Sequence, residues 1–83
     1  MSETIEWQAD KYKTVYEEEL RFLERRRAND TSCTIKDVQG ILKNLYIQEG
    51  NNQDGRGPVQ DIVLSATIAA YEFFIEDWKK ESL

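Results

Sequence analysis

The chain has no histidine, one cysteine, one proline and four glycines, and no apolar run long enough to span a bilayer. Each shortage excludes something. Without histidine the usual general acid–base at neutral pH is missing. A single thiol rules out metal sites built from Cys and His. Cys33 standing alone also excludes an internal disulfide and suits a reducing compartment. At the entrance of a helix its pKa can be lowered by the dipole, yet no histidine is there to act as its base, so it reads as a small thiol in a turn. Cations are in deficit as well: 11 Lys and Arg face 16 Asp and Glu, a net charge of −5. That balance argues against broad binding to nucleic acid or anionic membranes. The opening Ser2, Glu3, Thr4, Ile5, Glu6 is acidic where a signal peptide would carry a basic stretch, and a cytoplasmic protein is the expectation.

What the chain does have is helical periodicity. Eighty-three residues, a third of them charged, make one small helical domain over 1–83, near the lower limit at which one core suffices. Helix 1 is expected over about 3–27, with a seam of Ile5, Ala9, Tyr12, Tyr16, Leu20 and Leu23. Glu3 and Glu6 lie in its first turn and Arg25, Arg26, Arg27 in its last, both favoured by the macrodipole. Glu17 with Arg21 and Glu24 with Arg27 are spaced as ion pairs on one helix. The stretch from Ala28 to Ser32 supplies a break. Helix 2 is expected over about 34–49, with Thr34 and Asp37 forming a capping box and Gly50 ending it as a left-handed cap. Its stripe is Ile35, Val38, Ile41, Leu42, Leu45 and Tyr46, with Gly40 interrupting the other face. The segment 50–57 reads as a solvated connector, and Pro58 opens helix 3 over about 58–80.

Helix 3 carries two apolar seams. One runs Val59, Val63, Ala66, Ala70, Phe73; the other runs Leu64, Ile68, Tyr71, Ile75, Trp78. Each steps by three and four residues, and the two lie about 140° apart at 100° per residue. A second stripe demands a second partner. The expected helix lengths are about 37, 24 and 31 Å. A short second helix leaves the start of helix 1 (Ile5, Trp7, Ala9, Tyr12) uncovered and lets the end of helix 3 overshoot. The fold class expected is therefore all-α, a three-helix up-down-up bundle assembled as a homodimer. The small-residue seam is assigned to helices 1 and 2 and Leu64, Ile68, Tyr71, Ile75 and Trp78 to the second subunit, the reverse assignment being the alternative. Trp7, opposite the seam of helix 1, either caps a groove at the dimer end or is an exposed anchor for another protein, with partner contact the preferred reading.

Chemistry-bearing patterns are weak. Gly50, Gly55, Arg56 and Gly57 imitate a phosphate-binding loop, but Arg56 replaces its lysine, Gly57 replaces its hydroxyl, and no strand precedes it. Aligned as a calcium loop, Asn52, Asp54 and Asp61 fall at ligand positions, with glycine first and a short Asp last. Glu17, Glu18 and Glu19 point around their helix and cannot converge on a metal. Arg56, Arg25 and Arg26 are the candidates for contact with an anion, through the start of helix 3 or the Arg25–Arg27 cluster. That cluster is too short and too interrupted by Glu24 to argue for nucleic acid.

The long–short–long helix order is similar to that of small all-helical chorismate mutases, which interlock as dimers. Such an enzyme needs Arg and Lys converging inside the bundle. Here Arg21 and Arg25 fall on the outer arc of helix 1, and helix 3 offers no cation before Lys79. The resemblance is one of architecture only. The expectation is a non-catalytic interaction or regulatory module that self-associates or meets another protein partner, without cofactor or metal. The alternative is a helical dimer, binder or enzyme, acting on an anionic small molecule.

Overall fold

A computed structural model describes residues 2–51 and 58–81, with side chains described over 7–50 and 59–81. Three helices account for nearly all of it: α1 from Ser2 to Asn29, α2 from Ile35 to Asn51 and α3 from Pro58 to Glu81. The connection from α1 to α2 is held by short polar contacts. Asp30 N–H donates to the Arg26 carbonyl at 2.8 Å and closes α1. The Asp30 carboxylate accepts from Ser32 N–H at 3.0 Å and from Ser32 Oγ at 2.6 Å. These bonds to the charged form hold Asp30 below its ordinary pKa, with the Ser32 hydroxyl the largest cause. The capping box forms as expected: Asp37 N–H donates to Thr34 Oγ1 at 3.3 Å, and Thr34 N–H donates to Asp37 Oδ2 at 3.0 Å.

The expected stop at Gly50 is not made. Helix α2 continues to Asn51, and no glycine among the described residues has a positive φ. Gly50 is one more helical residue; a left-handed cap needs the chain to turn there, and it does not. The expected ion pairs of Arg21 with Glu17 and of Arg27 with Glu24 are likewise not formed. Arg27 reaches across to α3 and pairs with Glu81 at 2.9 Å.

Helix α3 is the middle element. It packs against both α1 and α2, whose backbones do not approach each other closely. Tyr16 meets Phe73 and Arg27 meets Trp78 and Glu81, so α1 and α3 run parallel. Tyr46 donates its hydroxyl proton to Glu72, while Gln39 shares a surface hollow with Lys79, so α2 runs antiparallel to α3. The order is up-down-up.

The bulkier seam of α3 thus finds its partners inside one chain, and the small-residue seam does so at Ala66 and Ala70, while its ends Val59 and Phe73 stay exposed. Ala66 and Ala70 are fully buried on the stripe that meets α1, where small side chains allow close approach. Ile68, Tyr71, Phe74 and Ile75 join Leu23 of α1, Val38 and Leu42 of α2, and Cys33 in a single core cluster. Leu64 and Trp78 pack against that cluster, half-buried. The expectation that Leu64, Ile68, Tyr71, Ile75 and Trp78 face a second subunit is therefore corrected. With Ile68, Tyr71 and Ile75 no more than 7% exposed, they have almost no surface left for another molecule to cover. Nor does the end of α3 overshoot, because the C-terminal half of α1 and the N-terminal half of α2 flank it.

The start of α1 is another matter. At 1.5 Å per residue, α1 is about 42 Å long and α2 about 26 Å. The molecule measures 45 × 26 × 21 Å, with a radius of gyration of 14.3 Å against about 12 Å for a compact chain of this length. Beyond α2 the N-terminal halves of α1 and α3 form a two-helix arm. Trp7 and Tyr12 remain 41% and 40% exposed there, the uncovered end that the helix lengths imply.

Candidate functional site

Because α2 occupies only one side of α3, the opposite side of the α1·α3 pair is open. On α3, Val59, Ile62, Ala69 and Phe73 share that outer stripe, roughly opposite Ile68 and Ile75, with the fully buried Ala66 at its edge against α1. On α1, Tyr12, Tyr16 and Leu20 lie one turn apart. The rings of Tyr12 and Tyr16 stack with centroids 6.5 Å apart and an interplanar angle of 10°. Tyr16 in turn meets Phe73 at 6.5 Å, tilted by 41°. Both spacings lie in the favourable range for ring pairs, so three aromatics from two helices form one ordered row. Tyr12 is 40% exposed, Phe73 45% and Val59 48%. Lone exposed apolar residues are commonplace, whereas a contiguous row is not.

Towards the C-terminal end the same face deepens into a groove of about 360 Å³ between α1 and α3. Leu20, Phe73 and Phe74 line its floor, and Glu24, Asp77 and Glu81 stand among its walls. Arg27 also lines it but is already committed: it pairs with Glu81, and its guanidinium carbon sits 4.2 Å from the centre of the Trp78 ring. Trp78 makes an edge-on contact with Phe74 at 5.6 Å. This guanidinium on an aromatic face ties the ends of α1 and α3 together.

The predicted anion-contact residues are not brought together. Arg25 is exposed and shares a shallow depression with Glu18, Arg21 and Glu24, where acid balances base. Arg26 is half-buried, close enough to Asp30 and Tyr71 to oppose the pKa shift of Tyr71 and favour the charged form of Asp30. The Tyr71 hydroxyl is pushed above its ordinary pKa, chiefly by burial and then by Glu19. Arg56 and the phosphate-loop and calcium-loop readings of 50–57 lie outside the described residues. Among the described residues no three acidic or thiol side chains gather as a metal site, and no helix is long and apolar enough to cross a membrane. Trp7 is exposed, but it sits about 140° round α1 from Tyr12 and so belongs to a different face.

Sequence reasoning placed Tyr12 and Tyr16 on the seam of helix 1, Tyr12 at its uncovered end, and Phe73 on the seam facing helices 1 and 2. Their exposure follows from α2 choosing the other side of α3, which single-helix periodicity does not encode. One signal was present: Val59, Ile62, Ala66, Ala69 and Phe73 form a third three–four pattern that overlaps the small-residue seam. No protein-family model matches the chain, and neither does any curated protein or solved structure.

Proposed function

We propose that this protein is a non-catalytic interaction module that self-associates, with a second copy covering the aromatic row on the outer face of α1 and α3. The observation that carries the reading is the row itself: Tyr12 stacked on Tyr16, Tyr16 tilted against Phe73, and Tyr12 and Phe73 left open on the side away from α2. Ordered rings have little rotamer freedom left to lose when they are covered. The exposed parts of Tyr12, Phe73 and Val59 amount to roughly 250 Å². The partly open Tyr16, Leu20, Ile62 and Ala69 bring the apolar area to roughly 400 Å². A standard interface takes about 800 Å² from each partner, a little over half of it apolar, so the face has the area one stable dimer needs.

A second copy also suits the local charge. Among the described residues within two positions of Tyr12 and Val59, Asp10 and Asp61 balance Lys11 and Lys13, so two copies meet there without the repulsion that a net charge of −5 implies elsewhere. A two-fold axis near Tyr12 and Val59 sets the row of one copy against that of the other, the closed and commonest arrangement of identical chains. The scarcity of catalytic side chains supports a role in binding instead of catalysis. Analytical ultracentrifugation of the wild type and of Tyr12→Glu and Val59→Glu tests this. Both substitutions fall on exposed positions, so the variants stay folded by circular dichroism and sediment as monomers where the wild type sediments as dimer. A wild type that is monomeric at 100 μM, or variants as dimeric as the wild type, overturns the reading.

A further inference from the structure

Beyond self-association, we propose that the groove at the C-terminal end of the α1·α3 face binds a basic amphipathic segment of another protein, seating an Arg or Lys between Glu24 and Asp77 over an aromatic floor. The groove differs from the neighbouring aromatic row in its charge. Glu24, Asp77 and Glu81 bring three carboxylates to it against one cation, Arg27. Arg27 is already bound to Glu81 and stacked on Trp78, which leaves Glu24 and Asp77 with no ion pair among the described residues. The floor between them is apolar, formed by Leu20, Phe73 and Phe74, with Phe73 45% exposed. A carboxylate pair flanking apolar and aromatic surface suits one side-chain chemistry above others. The methylene stem of Arg or Lys lies on the apolar floor while its cationic head meets the carboxylates and the ring face.

The chain already uses this arrangement once. Arg27 itself rests on Trp78 and donates to Glu81, a cation held between an aromatic face and a carboxylate. Phe73, Glu24 and Asp77, the same kinds of side chain, line one groove together. A second copy of this acidic chain is a poor occupant, and three lining carboxylates against one paired cation disfavour an anionic metabolite. Volume favours a segment over a lone ion: about 360 Å³ takes one long side chain and part of its neighbours.

The test uses a fluorescein-labelled synthetic 16-residue amphipathic helix with Leu on one face and Arg on the other, titrated by anisotropy against the full chain. The proposal expects saturable binding that weakens between 50 and 300 mM NaCl. Glu24→Gln with Asp77→Asn weakens it about tenfold. A control pair with the same change in net charge on the α2 side, Glu49→Gln with Glu76→Gln, changes it less than about twofold. Tyr12→Glu breaks the proposed dimer and uncovers Phe73, so peptide affinity holds or rises in that variant while the mass falls to one chain, and the two readings fail separately. Absence of binding to the wild type, or equal loss in the control pair and the groove pair, overturns the proposal.

Discussion

Replacing Arg27 by alanine tests how the ends of α1 and α3 are held. Arg27 contributes three things. Its ion pair with Glu81 is 2.9 Å long, but the two side chains are 32% and 55% exposed, so solvent screening keeps it to about 0.5 kcal/mol. The guanidinium 4.2 Å from the centre of Trp78 adds about 0.5–1 kcal/mol at a partly exposed site. Covering the indole with the side-chain stem adds a few tenths more. The sum is about 1.5 kcal/mol, which for a chain of this size lowers Tm by about 6–12 °C. Urea denaturation followed by circular dichroism reads it directly. The contributions separate by variant. Glu81→Gln costs about 0.5 kcal/mol, and the difference from wild type vanishes in about 0.5 M salt. Arg27→Lys keeps the charge and loses the planar stack, and so lies between wild type and Arg27→Ala. A double-mutant cycle of Arg27→Ala with Trp78→Leu gives a coupling of about 0.5–1 kcal/mol. A coupling below about 0.3 kcal/mol, or an Arg27→Ala variant as stable as wild type, refutes the reasoning.

Three further outcomes follow from the same geometry. Ile68→Glu places a charge in the core beside Leu23 and Val38 and unfolds the chain; a folded, well-dispersed NMR spectrum from this variant contradicts the placement of Ile68 inside one molecule. Gly40→Ala meets nothing within 4 Å, so removing a helical glycine stabilises α2 by about 0.5–1 kcal/mol, and a fall in Tm shows that the outer face of α2 is covered. Tyr46 donates to Glu72, which raises its pKa from 10 to about 12. A raised pKa in the folded state means stability that is fully present below pH 10 and lost as pH climbs through 12. Because Tyr46 is 44% exposed, screening holds the effect to less than about 1 kcal/mol. Tyr46→Phe flattens this part of the stability profile, and an unchanged slope removes the hydrogen bond from the account.

Most of the helical content was legible in local chemistry. Thr34 and Asp37 spell a capping box at the right spacing and make one, and Pro58 opens α3 as its missing amide allows. The ends were harder: nothing local to Gly50 distinguishes a left-handed cap from another helical turn. The two seams of α3 correctly demanded two partners, but a pattern on one helix does not say whether a partner lies in the same chain. The arithmetic of helix lengths underestimated how α1, parallel to α3, brings Leu23 and Arg27 alongside Tyr71 and Trp78. For the same reason Glu24 and Arg27, ideally spaced along one helix, do not pair, since Glu81 and Trp78 offer Arg27 more. The aromatic row was hidden because Tyr12 and Tyr16 belong to one helix and Phe73 to another. Their meeting is a product of packing.

Self-association through the outer face is tested most directly by light scattering coupled to gel filtration, with the chain at 10–100 μM and its mass read across the peak. A uniform mass of twice the 9.7 kDa chain, falling to one chain in Tyr12→Glu while the helical signal persists, is the predicted result. A mass of one chain throughout that concentration range, in a protein that unfolds cooperatively on heating, contradicts it.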